Sequence, residues 1–337
     1  MANNFLCLDI GEKFTKIADV NKINDAYEII SLGKTDTNEL FYTTDNEKNL
    51  EAQADSINKL ANSIKVVKKN FNVIIPDSLA YTQILTMPYL NEKELISAIK
   101  YQADQFIPMP IEETNIDLEI IEEYKEQKKI LILIAAAPKK IIEKIQTAVE
   151  LAGFIPESVE TELSANARFV LNFFKKIPPK VPGNILVANF SLNTTNLSYF
   201  ENSVPIVKES HNLSLGYQIF LKEIQVNTDT DSKKAAEILK NFSPDHPSSY
   251  PIETIIAPIL RELSVQLKKI IANRKLSCMY MINNIALFPG LTKLIEKQLS
   301  LPISILNPSL FFKKTPVVES SINDLPLFVS TFGGNLR

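Results

Sequence analysis

NFLCLDIGEKFTKIADV, residues Asn4 to Val20, places two apolar-alternating runs on either side of a single glycine. Phe5, Leu6, Leu8 and Ile10 lead into Gly11, and Lys16 to Val20 resume the pattern, so the stretch reads as strand, tight turn, strand. Tyr27 to Leu32 is a third strand candidate. Between Glu51 and Lys69, Ile57, Leu60, Ala61, Ile64 and Val67 recur at helical spacing, which predicts a helix crossing back over the sheet. Val73 to Ile75 then reads as a buried strand. This order predicts one mixed sheet with helices packed on it, an α/β fold.

The opening pattern returns in the second half. Asn184 to Phe190 reads as a strand, a polar turn follows, and Asn196 to Phe200 and Val204 to Ser210 read as two more. A long helix, Glu253 to Ala272, carries Ile256, Leu260, Leu263, Leu267, Ile270 and Ile271 as its stripe. Cys278 to Asn283 (strand), Leu291 to Leu299 (helix) and Ile303 to Leu306 (strand) complete the half. Two such openings imply a duplicated architecture. The proline-rich KKIPPKVPG, Lys175 to Gly183, reads as a semi-rigid linker between the halves.

A separate module interrupts the first half. Ala80 to Met87 reads as a strand, and Glu92 to Phe106 as a helix with Leu95, Ile99, Ala103 and Phe106 on one face. Asn91 and Glu94 have capping-box spacing at its start, and Pro108 to Pro110 stop it. Strands at Asp117 to Glu122 and Ile130 to Ala135 follow, then a helix from Lys139 to Ala152 ended by Gly153. The helix Glu162 to Phe174 returns the chain to the first half. The expected division is a first core of residues 1–78 plus 156–178, an insert at 79–155, a linker at 179–183, and a second core at 184–337 with a subsidiary part near 222–272.

Composition narrows the function classes. The chain has 337 residues, 45% apolar and 22% charged, enough for a core that needs no disulfide or metal staple. A net charge of -3 argues against a dominant nucleic-acid role; local basic patches such as Lys65, Lys68 and Lys69 are the exception. Cys7 and Cys278 lie in apolar stretches and read as buried, reduced thiols. The start lacks a signal-peptide pattern, and the longest apolar run, Ile130 to Ala137, falls far short of the ~20 residues of a membrane span. His211 and His246 show no metal-ligand spacing, and no P-loop, G-x-S-x-G or H-E-x-x-H pattern occurs. Only eight glycines are present, well under the ~7% of average usage. Glycine is what lets backbone approach phosphate or purine closely.

LDIGEKFTKIADV (Leu8 to Val20), MPYLNEKELISAIKYQADQFIPMPIEE (Met87 to Glu113), ILILIAAAPKKIIEKIQTAVELAGFIPESVETE (Ile130 to Glu162), LFPGLTKLIEKQLSLPISILNP (Leu287 to Pro308) and the closing LFVSTFGGNLR resemble the PilM family of type IV pilus assembly proteins, relatives of FtsA. The resemblance implies an actin/Hsp70-like (ribonuclease H-like) fold: two lobes around a nucleotide cleft, with an SHS2-like insert in lobe one. It implies ATP and magnesium as the family's ligands. It also implies a partner, the cytosolic N-terminal segment of a PilN-like inner-membrane protein, held in a groove between lobe one's core and the insert, with other pilus platform components nearby. A cytoplasmic location at the inner membrane's cytosolic face, reached through that partner and without a membrane span of its own, goes with it. The groove is expected between the Glu51–Lys69 and Glu92–Phe106 helices.

By this resemblance the nucleotide loops comprise Asp9, Gly11, Glu12, Lys13 and Lys16; then Asn189, Ser191, Thr195 and Gly216; then Asn283 and Asn284, with Glu237 and Lys240 on the nucleoside side. Several depart from the family pattern. Glu12 puts a carboxylate near polyphosphate. Asn189 replaces an aspartate and so lacks the charge that holds magnesium-bound water, and Ser191 adds a side chain where backbone should approach phosphate. Asn283-Asn284-Ile285 stands in place of glycines, and the bulk of Ile285 is expected to crowd a purine. ATP binding is therefore expected to be weak or absent. The leading expectation is a non-enzymatic scaffold. An active ATPase regulator of the same machinery, an FtsA-like filament former and a sugar or acetate kinase are the alternatives. The filament former should carry a basic amphipathic helix, and none precedes Arg337.

Overall fold

The computed structural model describes residues 5–24, 26–91, 94, 95, 97–99, 107–178, 183–201, 206–246, 248–272 and 274–337. Lobe one opens with β1 (Phe5–Ile10), β2 (Phe14–Ile23) and β3 (Ala26–Asp36), antiparallel neighbours joined by the Gly11 turn, where Gly11 N–H donates to the Phe14 carbonyl. Helix α1 (Glu47–Ser63) crosses back to β4 (Asn70–Ile75), which lies parallel to β1. The helix stops well short of Lys69 because Lys65 turns left-handed, at φ +57°. Val67, expected on its apolar stripe, is consequently 88% exposed.

The insert is a three-stranded antiparallel sheet in the order β5-β7-β6, from β5 (Tyr81–Pro88), β6 (Thr114–Tyr124) and β7 (Lys129–Pro138). The helix expected over Glu92–Phe106 lies mostly outside the described residues. Its capping box is in place: Glu94 N–H donates to Asn91 Oδ1 and Asn91 N–H to Glu94 Oε2, each at 3.0 Å. Leu95 and Ile99 are buried against Ile130, Ile132 and Ile134 of β7.

Helix α2 (Lys139–Leu151), expected with the insert, packs instead on lobe one beside α1. Its apolar stripe decides this, because Ile145, Ala148 and Val149 share a core with Ile57, Ala61 and Phe71. Gly153, at φ +87°, ends it as expected. A strand not anticipated from sequence, β8 (Ile155–Thr161), joins the sheet parallel to β4 and runs straight into α3 (Glu162–Lys176). The sheet order is β3-β2-β1-β4-β8.

Lobe two repeats the plan with β9 (Asn184–Phe190), β10 (Thr195–Phe200), β11 (Val207–Leu213), α4 (Tyr217–Thr228), α5 (Ser232–Asn241), α6 (Ile252–Ile271), β12 (Leu276–Asn283), α7 (Pro289–Leu299) and β13 (Ile303–Ile305). Its sheet order, β11-β10-β9-β12-β13, mirrors that of lobe one strand for strand, as the duplicated pattern implied. Of the expected linker only Gly183 falls among the described residues. After α8 (Pro316–Ser320), the last helix α9 (Val329–Asn335) leaves lobe two and packs on α3, β1 and β2 of lobe one. Residues expected in the second core thus end on lobe one, where Gly333 fits against the Ala165 backbone and Gly334 against the Cys7 side chain. Phe169, Phe173, Phe311, Phe312, Phe328 and Phe332 fill the base between the lobes, each burial worth roughly 1.5–3 kcal/mol. Cys7 and Cys278 are both buried and unbridged. Among the described residues no helix is long and apolar enough to cross a membrane.

Candidate functional site

The carboxyl ends of the parallel strands of both sheets face each other across a cleft, the place where open α/β sheets present their ligand-binding loops. Gly11, Glu12, Lys13, Lys16, Ser191, Asn283 and Asn284 line it, so the structure brings these expected residues together. Asp9 lies behind them, 1% exposed, with Lys16 Nζ 2.8 Å from its carboxylate. Asn189 stands one layer deeper and accepts from Asn283 Nδ2 at 2.9 Å. Thr195 is buried and donates to the Leu215 carbonyl, holding β10 rather than facing the cleft. Gly216 caps α4 where the Ser191–Leu192 backbone leaves no room for a Cβ. Glu237 and Lys240 do not reach the cleft; both are exposed on α5, and Glu237 pairs with Lys234 at 3.2 Å.

In the third loop Asn283 takes a positive φ, at +68°. Ile285 is wholly buried in the lobe-two core, because an apolar side chain after a buried strand gains more from the core than from the cleft.

Two carboxylates missed in the sequence define the cleft's depth. Asp77 follows β4 and Glu162 opens α3 directly after β8, each at the carboxyl end of a parallel strand. Asp77 Oδ1 accepts from the Leu163 N–H at 2.9 Å, an N-terminal cap for α3. Burial pushes Asp77 up to about 7. Burial, with the Asp77 and Asp9 charges adding, pushes Glu162 up to about 8. The available signal was the carboxylates themselves after two strands, but β8 had to be recognised first.

The residues present do not fit a magnesium nucleotide. The cleft holds about 20 Å³, room for one or two waters, against ~300–1,000 Å³ for a small-molecule pocket. The first N–H groups of α4, which would cradle a phosphate, are taken: Tyr217 N–H donates to the Ser191 carbonyl and Gln218 N–H to Leu192. Lys16 is committed to Asp9 and to the Leu327 carbonyl. Lys13 faces Asp36 at 3.5 Å, and Glu12 accepts from Asn193 Nδ2 of the opposite lobe at 2.8 Å.

A much larger opening lies elsewhere, a groove of about 650 Å³ between the insert and lobe one. Its walls come from β6, β7, α2, β8 and α3, with Leu336 and Arg337 at one end. No α1 residue lines it, because α2 covers α1 and Asn58 Nδ2 is bonded to the Ala152 carbonyl. Ala135, Ala136 and Ala137 keep the β7 wall low, and Ile75, Ile142 and Val159 put apolar patches among polar lining residues such as Asn115, Gln146 and Thr161. Arg168 is tied to both Glu160 carboxylate oxygens, at 3.1 and 2.6 Å, and to the Gly333 carbonyl. Asp117 and Glu119 on β6 are exposed along the rim.

Two mirrored sheets, a facing-loop cleft and an inserted sheet define a two-lobed protein of the actin-like ATPase fold. The chain belongs to the PilM family: the family model described as type IV pilus assembly protein PilM matches residues 7–329. It is similar to a chain of a PilM-PilN type IV pilus biogenesis complex, with 20% identity and a TM-score of 0.85 over 99% of this chain and 98% of that one. The ethanolamine utilization protein EutJ from Carboxydothermus hydrogenoformans is more distant, at 12% identity and TM-score 0.56 over 98% and 89%. An activator of 2-hydroxyisocaproyl-CoA dehydratase from Clostridium difficile, solved with bound ADPNP, follows at 11% and 0.50 over 98% and 92%.

Proposed function

We propose that this chain is a non-enzymatic scaffold of a type IV pilus assembly platform that holds the N-terminal segment of a PilN-like membrane protein. The groove between insert and lobe one carries the reading. Its mixed polar and apolar lining, low alanine wall and β6, the edge strand of the insert's sheet among the described residues, suit an extended peptide, which needs main-chain pairing and side-chain pockets rather than catalytic groups. The similar chain of known structure comes from a complex with PilN. A partner anchored in the inner membrane would keep the chain at its cytosolic face.

Calorimetric titration with a synthetic N-terminal peptide of the PilN-like protein from the same genome tests this. Saturable binding at a stoichiometry of one is expected, unchanged by Mg-ATP. Silence with the peptide, with and without Mg-ATP, would overturn the partner assignment.

A further inference from the structure

Asn283 ends β12 at φ +68° and ψ -142°, a backbone conformation ordinarily left to glycine. Asparagine persists in so strained a position only where its surroundings hold it there. Here they do so through the side chain. Nδ2 has three acceptors around it that share its two N–H bonds: Asn189 Oδ1 at 2.9 Å and Ser191 Oγ at 3.1 Å in its own lobe, and Glu162 Oε1 at 2.9 Å in lobe one. The three partners and the amide are all buried, where a hydrogen bond is strongest and its loss most costly. Asn193 and Glu12 make a second polar tie across the cleft, and Asn212 Nδ2 reaches the Asp77 carbonyl at 3.3 Å as a third.

We propose that the Asn283 amide clasps the two lobes together and keeps the interlobe cleft closed without a nucleotide. Asn189, Ser191 and Asn283, which read in sequence as separate losses from a nucleotide site, form one connected hydrogen-bonded group with Glu162. Each occupies space or donors that a polyphosphate would need, so the same side chains close the cleft and exclude the ligand. This deepens the non-enzymatic part of the scaffold reading. Failure of peptide binding would sink that reading and leave the clasp standing, whereas nucleotide binding would do the reverse.

Lobe closure is measurable with spin labels at Glu51→Cys on α1 and Val226→Cys on α4. Both sites are exposed, and the native cysteines are buried. The wild-type background is expected to give one narrow distance, unmoved by Mg-ATP, with no saturable heat on Mg-ATP titration. Asn283→Ala should broaden the distribution and lengthen it by several ångströms. Should that variant fail to fold, Glu162→Leu breaks the clasp from the opposite lobe and should open it alike. Glu162→Gln keeps an oxygen acceptor and should remain closed. Micromolar Mg-ATP affinity in the wild type would overturn the proposal. A closed distance in both Asn283→Ala and Glu162→Leu would also overturn it.

Discussion

Lys16 Nζ lies 2.8 Å from Asp9 Oδ2, with both side chains almost wholly buried. The ammonium also donates to the Leu327 carbonyl, and Ser330 Oγ donates to the same carboxylate oxygen. An ion pair placed at the opening loop thereby ties β1 and β2 to the C-terminal segment. Removing one member of a buried pair leaves an uncompensated charge, so Lys16→Met should lower the unfolding free energy by about 3–5 kcal/mol. Urea denaturation reads this directly. A loss below about 1 kcal/mol, the ordinary value of an exposed pair, would mean that solvent reaches the pair.

Stability should also depend on pH through Asp77 and Glu162. Burial raises both, to about 7 and about 8, with Asp9 adding to each and Lys16 opposing the rise at Glu162. The folded chain therefore holds protons that the unfolded chain releases in the ordinary carboxylate range. Their contribution is full below that range and is lost as pH rises through about 7 and about 8. Glu162→Gln removes one of these groups while leaving an acceptor for Asn283. The melting temperature of the wild type should fall relative to that of Glu162→Gln as the medium moves from mildly acidic to mildly alkaline. Parallel profiles would show that Glu162 does not titrate in this window.

The groove makes a steric prediction. Ala135 sits on the middle strand of the insert, paired with Thr82 of β5 and Asp117 of β6, and lines the groove while only partly buried. Phenylalanine there would fill space that a peptide needs without entering either core. Peptide affinity should fall about tenfold or more, the equivalent of 1.4 kcal/mol. Stability should change by less than about 1 kcal/mol, as for substitutions outside the core. Undiminished affinity in Ala135→Phe would place the peptide elsewhere.

Both sheets were legible in the sequence because each opens with alternating strands around a polar or glycine turn, and the period-two signal is strong there. The edge strand β8 was not. IPESVET begins with an exposed isoleucine beside a proline and is half wet along its length, the pattern of an edge strand that reads as a loop. Missing it hid Glu162, and with it the partner of Asn283. The loop Asn283-Asn284-Ile285 showed that glycine was absent but not which residue would take the positive φ. That choice depended on the core drawing Ile285 inward. The reach of α2 and α9 toward lobe one depends on tertiary packing of stripes that look equally suited to other neighbours.

The C-terminal return sets the last prediction. A Cβ added at Gly333 would meet the Ala165 carbonyl oxygen at 1.8 Å, and one at Gly334 would meet Cys7 Sγ at 2.3 Å. The first obstacle is backbone of α3, which cannot swing aside as a side-chain end can. Overpacking of this kind costs about 1–3 kcal/mol and sometimes more, and Gly333→Ala belongs at the upper end. Loss of melting temperature alone would not show where the strain is relieved, but Cys7 reports on it. Burial raises its thiol well above the usual range, and its sulfur lies under Gly334, so a thiol reagent should not label it in the native wild type. If α9 lifts from α3 to accommodate the new methyl, Cys7 loses its cover and should become reactive well below the unfolding transition. A destabilised Gly333→Ala with Cys7 still silent would place the relief elsewhere, in a shift of α3. Wild-type stability would mean that the α3–α9 approach is looser than 1.8 Å implies.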